Sequence, residues 1–262
     1  MEKMLVTGGT GLLGSEVVRQ LLSRNLSVGV LTTQKDPELP GRVAIYRGDL
    51  RTGAGLKEAL DGVRAVIHCA SNFGAFDDTD IRGSTNLLNS MDASRPPHLV
   101  YISIVGVEKS TYPYYRAKRR VEETILERRT PATILRTTQF HDFVLRMIGQ
   151  ILDSKDEVAL VPGGIRFQSV DIREVAAKLI GIADSAPAGL LPDFGGPEIH
   201  RFEDLFKDYL RVSGSRRAWK PYPVEGLRYD NFRTGVNIVP DHRAGKITWT
   251  EFLATKFQGA GG

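Results

Sequence analysis

Tyr114 and Lys118 stand four residues apart in the stretch YYRAK. Residues i and i+4 share one face of a helix, so the phenol and the ammonium would point the same way. A phenol with a pKa near about 10 is a poor acid–base group at neutral pH, and a nearby cation favours its ionised form. Such a pair can give or take a proton at a carbonyl oxygen. The lysine could also hold the hydroxyls of a bound sugar. The other reading of the same residues is a core-packed tyrosine and a solvated lysine. The adjacent Tyr115 would face about 100° away on the helix.

A second chemical feature lies at residues 5–14, LVTGGTGLLG, where Gly8, Gly11 and Gly14 recur at three-residue spacing after a short apolar run. A dinucleotide-binding turn needs glycine to turn tightly, to let the backbone approach a pyrophosphate, and to pack a helix closely on a strand. The N-terminus of that helix offers unpaired N–H groups and a positive dipole end to phosphates. Gly8, Thr10, Gly11, Leu12, Leu13 and Gly14 are therefore the expected dinucleotide contacts. The next strand should end about 20 residues on, beside the adenosine ribose. There the chain reads Thr32, Thr33, Gln34, Lys35, with no carboxylate to accept from a free 2′-hydroxyl. Two hydroxyls and a lysine suit a 2′-phosphate, so NADP(H) is favoured over NAD(H).

These residues need a scaffold, and the sequence alternates strand-like and helix-like runs. Strands are expected at 3–7, 27–32, 43–46, 65–70, 99–104 and 132–136, and helices at 12–25 and 114–129 among others. That alternation predicts an α/β fold, a Rossmann-type doubly wound parallel sheet. Tyr114 would then open the helix after the fifth strand, eleven residues beyond Ser103. The alternation weakens after about residue 138, which predicts a small C-terminal substrate lobe. The expected division of a single NAD(P)-binding domain is a core of about 1–138 plus 166–196 and a lobe of about 139–165 and 197–262.

TGGTGLLG, GDL at 48–50, HCAS at 68–71, YISIVG at 101–106, YYRAK at 114–118 and ILRTTQF at 134–140 together resemble the short-chain dehydrogenase/reductase superfamily. The chain is most similar to its atypical NAD(P)H-binding branch, which includes the NmrA-like proteins. The resemblance implies that Asp49 and Leu50 contact the adenine, and that Ala70 and Ser71 run beside the nicotinamide ribose and phosphates. It implies that Ser103 hydrogen-bonds a substrate carbonyl, and that Tyr114 and Lys118 are the acid–base pair. Thr137 to Phe140, Thr138 among them, would close over the nicotinamide. Phe140 and His141 are candidates for the substrate pocket, although His141 and Asp142 equally suit the start of a helix. Some NmrA-like relatives lack the tyrosine and act as cofactor-sensing binders, and another group nearby reduces with a lysine alone.

The rest of the sequence narrows the function by exclusion. Of 262 residues, 41% are hydrophobic and 25% charged, with a net charge of +4 and no long basic stripe, so nucleic acid is not an expected partner. One cysteine, Cys69, and no leader-like start suggest a reducing, cytoplasmic setting without a membrane. The five histidines, at 68, 98, 141, 200 and 242, lack metal-ligand spacing, so no metal is expected. His68, inside a buried strand, reads as a satisfied core histidine. Trp219, Tyr222, Phe232 and Trp249 could form a substrate wall or the core of a small lobe. The expectation is an NADP(H)-dependent oxidoreductase, monomer or homodimer, that reduces a small carbonyl, enone or quinone-like molecule. The alternative is a non-catalytic NADP(H) sensor that binds a protein partner.

Overall fold

The computed structural model describes residues 3–258. A seven-stranded sheet organises the first half of the chain. Its strands β1 (Lys3–Thr7), β2 (Val28–Thr32), β3 (Ala44–Arg47), β4 (Val63–His68), β5 (His98–Ile104) and β6 (Ala132–Thr137) lie in the order 3-2-1-4-5-6. The short strand Gly189–Leu190 closes the far edge. β1 pairs in parallel with β2 and β4, β2 with β3, and β4 with β5. β2 is buried along its whole length and β4 nearly so, as expected of central parallel strands covered on both faces.

Helices α1 (Leu12–Ser23), α2 (Leu56–Leu60), α3 (Gly83–Ser90) and α4 (Pro113–Glu127) connect these strands. α4 begins on a proline, whose fixed φ and missing N–H suit the first helical position. Its buried residues include Lys118, Val121, Glu122 and Ile125, an apolar stripe carrying two charged side chains. Each has a counter-charge: Glu122 takes Arg136 at 2.6 Å and Lys118 takes Asp80. The stretch before α3, expected as ordinary helix, widens into a π-helical turn at Asp77–Arg82. The strand order reverses between β1 and β4, and in open α/β sheets ligands bind beyond the carboxyl ends of the strands at that point.

The chain divides into two compact units. The first runs to Ser103 and adds Pro113–Arg136 and Val175–Pro192. The second takes Ile104–Tyr112, Thr137–Glu174 and the chain from Asp193 on. These boundaries differ from the expected ones at 104–112, 137–138, 166–174 and 193–196, which go to the second unit. The Val105 N–H bonds the Thr137 carbonyl, and Arg166–Phe167 pairs antiparallel with His200–Arg201. Each unit has its own apolar core: Leu5, Val66, Leu99 and Ile134 are central to one, Phe167, Phe202, Phe206 and Trp249 to the other. Trp249 and Phe232 are therefore core residues, and the indole N–H of Trp249 is taken by the Leu205 carbonyl at 3.1 Å. This unit also holds a parallel pair not expected from the sequence pattern, Ala159–Gly163 with Trp219–Pro223.

Candidate active site

The glycine turn between β1 and α1 divides its roles among three residues. Gly8 has φ +69°, and a Cβ on it would lie 2.7 Å from the Ala70 backbone. Gly14 lets α1 settle on the turn, since a Cβ there would stand 2.1 Å from the Gly8 carbonyl oxygen. Gly11 is exposed, and the one atom a Cβ there would crowd is the Gly8 oxygen at 3.2 Å. Gly11 caps α1 without any side-chain hydrogen bond, which leaves the first N–H groups of the helix for a ligand. Leu12 is exposed there and Leu13 buried, while Thr10 is half-buried. A bare, donor-rich cradle of this kind fits the pyrophosphate of a dinucleotide.

At the end of β2, Thr32 is buried and its hydroxyl accepts the Gln34 N–H at 3.1 Å. Thr33 and Lys35 are exposed. Register pairs Thr32 with Arg47, and the Arg47 guanidinium donates to the Lys35 carbonyl. Arg47 is thus a second exposed cation at this strand end, and sequence reasoning missed it. The signal was available, since a strand beside β2 must end beside Thr32. Asp49 accepts the Arg51 N–H at 2.9 Å and pairs with its guanidinium at 2.8 Å. The Arg51 hydrogen bonds hold this carboxyl below the usual carboxylate range. Leu50 is buried, and its carbonyl accepts from Asn86 at 2.8 Å.

The first unit also carries Tyr114 and Lys118, two of the three expected catalytic side chains, one turn apart on α4. Tyr114 is half-buried, and its Oη lies 2.7 Å from the Ser71 Oγ, next to Ala70 at the end of β4. Phe73 packs edge-on against the Tyr114 ring, with centroids 5.1 Å apart. Tyr115 is buried instead. One turn after Tyr114, Lys118 is 2% exposed, with its Nζ 4.5 Å from the centre of the Tyr101 ring and 3.5 Å from Asp80 Oδ1. Burial opposes the Lys118 charge, but the surrounding Tyr101, Tyr114 and Asp80 outweigh it and hold the amine above its ordinary pKa. Lys118 is therefore a cation at neutral pH.

Ser103 is not part of this hydrogen-bonded group. It is 1% exposed, and its hydroxyl is buried with no hydrogen-bond partner. The serine hydrogen-bonded to Tyr114 is Ser71. His68 bonds Thr7 at 2.6 Å through Nδ1 and Ser84 at 2.9 Å through Nε2. Burial, aided by the Lys118 charge, pushes it down to about 3, so it stays neutral.

In the second unit, Thr138 is buried and its hydroxyl accepts the Gly196 N–H at 3.2 Å. Phe140 is half-buried and caps the helix His141–Leu152. His141 is 1% exposed; it bonds the Ser169 hydroxyl at 2.8 Å and the Ile247 carbonyl at 3.0 Å. Its ring packs against Trp249 and Phe252. The pocket role expected of His141 is corrected here: both ring nitrogens are committed inside the core. Among the described residues no helix is long and apolar enough to cross a membrane.

Residues 8–180 match the model of a family described as NAD(P)H-binding. The human (Homo sapiens) 3 beta-hydroxysteroid dehydrogenase type 7 is 31% identical over 132 residues, 43% of this chain and 36% of that protein. The human sterol-4-alpha-carboxylate 3-dehydrogenase, decarboxylating, is 41% identical over 112 residues, 40% of this chain and 30% of that one. The match thus spans about a third of the length of these relatives. Among solved structures, the NADPH-dependent quinone oxidoreductase of Escherichia coli, complexed with NADPH, superposes with a TM-score of 0.79 at 15% identity. That likeness, over 97% of this chain and 99% of the other, is one of fold.

Proposed function

The chain belongs to the NAD(P)H-binding family of the short-chain dehydrogenase/reductase superfamily, and on that premise we propose that it is an NADP(H)-dependent reductase of a small carbonyl, enone or quinone-like molecule. The observation that carries this reading is the Tyr114 hydroxyl, 2.7 Å from Ser71, one helical turn from a buried Lys118 paired with Asp80. NADPH, when bound, supplies the hydride. The chain supplies the rest. The N-terminus of α1 and the bare Gly11 would hold the pyrophosphate, and Asp49 and Leu50 would border the adenine. Thr32, Thr33, Lys35 and Arg47 would hold the 2′-phosphate, and two cations with no carboxylate at this strand end favour NADP(H) over NAD(H). Ala70 and Ser71 would run beside the nicotinamide ribose.

Tyr114 gives its phenolic proton to the substrate oxygen as negative charge develops there, and Lys118 stabilises the phenolate left behind. Ser71, exposed and hydrogen-bonded to Tyr114, can return a proton from solvent. Phe140 remains a candidate for the substrate pocket. The test is a panel of aromatic and aliphatic carbonyls, enones and quinones with NADPH and NADH, followed at the nicotinamide absorbance. Turnover with NADPH above NADH supports the reading. Tight NADPH binding with no turnover across the panel would replace it with a cofactor-sensing binder.

A further inference from the structure

The loop after β4 brings two phenylalanines to the ring of Tyr114. Ser71, whose Oγ lies 2.7 Å from the Tyr114 Oη, is followed by Phe73 and Phe76. The Phe73 ring meets the Tyr114 ring edge-on, with centroids 5.1 Å apart and planes at 63°. The Phe76 ring tilts against the same phenol at 6.0 Å and 58°. Pairs in this geometry attract beyond the area they bury, so the three rings form one cluster at the proposed acid. Phe76 is half-buried. Phe73 is 52% exposed, the one exposed phenylalanine among the described residues.

Core packing does not account for Phe73, since core phenylalanines such as Phe167 and Phe202 are wholly buried. Phe73 instead occupies an inner position of a tight turn. The Ala75 N–H bonds the Asn72 carbonyl at 3.0 Å, and the Gly74 N–H bonds the Asn72 side chain at 3.0 Å. Small and polar residues dominate such positions, so a large apolar ring there departs from local preference. The turn and the Tyr114 contact fix this phenyl while half of its surface stays in water. A ligand with an apolar body and a polar end would cover that surface and present its oxygen to the hydroxyl. The flat face of a phenyl is matched by a flat ring in offset or edge-on contact, and a puckered aliphatic group makes no such pair. We propose that Phe73, backed by Phe76, determines specificity, and that the favoured substrates carry a carbonyl conjugated to a planar aromatic or quinoid ring. This rests on Tyr114 being the group that meets the substrate oxygen, as proposed above.

The test compares 1-phenyl-1,2-propanedione with 1-cyclohexyl-1,2-propanedione, which share the reacting dione and differ in whether the six-membered ring is flat. Calorimetric titration of each into the full chain saturated with NADP+ reads binding without turnover. The wild type should bind the phenyl compound about 2- to 12-fold more tightly, the range of one aromatic pair. A merely apolar surface would favour the cyclohexyl compound, which has the larger apolar area. Phe73→Leu keeps an apolar side chain without the ring and should abolish the preference, whereas Phe73→Tyr keeps a flat ring and should retain it. Both variants should melt within about 3 °C of wild type, because the position is exposed. Steady-state kcat/KM with NADPH should shift in the same ratio. Equal affinities in the wild type, binding of neither dione, or a preference that survives Phe73→Leu would overturn the proposal. A phenyl preference in binding without turnover of either dione would support the aromatic site and defeat the reductase reading instead.

Discussion

Gly14→Ala and Gly11→Val place side chains only three residues apart and should fail in opposite ways. A Cβ on Gly14 meets the Gly8 carbonyl oxygen at 2.1 Å, the Gly8 carbon at 2.7 Å and the Gly9 Cα at 2.9 Å. All three are backbone atoms, so α1 must move off the turn by about 1 Å. Overpacking of this severity costs about 3 kcal/mol, the upper part of the usual range. Alanine returns about 1 kcal/mol through its better helix propensity. The net loss of about 2 kcal/mol corresponds to a fall in Tm of about 4–8 °C for a chain of this size. Gly11 by contrast has an extended backbone, φ −85° and ψ 172°, that valine adopts freely, and a Cβ there meets only one atom at 3.2 Å. Gly11→Val should melt within about 3 °C of wild type, as expected of an exposed position. Its side chain would instead stand where the pyrophosphate must lie, so NADPH affinity should fall about 100-fold or more, equivalent to about 2.7 kcal/mol. Differential scanning calorimetry and calorimetric titration separate the two effects. Wild-type NADPH affinity in Gly11→Val, or wild-type stability in Gly14→Ala, would refute the assignment of roles within residues 8–14.

Acid should destabilise the protein through its buried histidines. The folded value of His68, about 3, lies below its ordinary value of 6.5, so the unfolded chain takes the proton first. Stability present at neutral pH is then lost as pH falls from 6.5 toward 3, by about 1.4 kcal/mol per pH unit from His68. Burial pushes His98 and His141 the same way. His68→Gln should flatten the fall in Tm between pH 6.5 and 4.5, and an unchanged slope would show that His68 is not the group responsible. Arg47→Ala should weaken NADPH binding about tenfold, the effect of one charged hydrogen bond, and leave NADH untouched; equal losses for both would remove Arg47 from the 2′-phosphate site. Ser71→Ala should lower kcat about tenfold, whereas Ser103→Ala should leave it within twofold, since removing an unpartnered buried hydroxyl is neutral or stabilising by about 1 kcal/mol. The reverse order of the two serines would return the carbonyl contact to Ser103.

The glycine turn, the strands around it and the Tyr114–Lys118 helix were legible because local rules set them. Glycine spacing, an apolar run before it and an i, i+4 pair each follow from a few neighbouring residues. Asp80 was not legible. Its stretch has helical spacing, and a π-helical turn changes side-chain direction without leaving a mark in periodicity. Ser71 was read as a neighbour of the cofactor, but its contact with Tyr114 spans 43 residues of sequence and emerges only when β4 and α4 are packed together. His141 carried two readings of equal weight, and the choice was made by Trp249 and Phe252, more than a hundred residues away. The parallel pair of Ala159–Gly163 with Trp219–Pro223 escaped notice for a related reason: its partners are distant and both contain proline, which masks strand character.

Tyr114→Phe tests the central claim most directly, because it removes one oxygen from the group asked to move the proton. Turnover of the best carbonyl or quinone substrate with NADPH should fall about 100- to 10,000-fold, the usual contribution of a general acid. NADPH affinity, measured on the same preparation, should stay within about threefold, since the proton is transferred only in the transition state. A Tyr114→Phe variant that keeps full turnover would contradict the account and hand the chemistry to Lys118 alone.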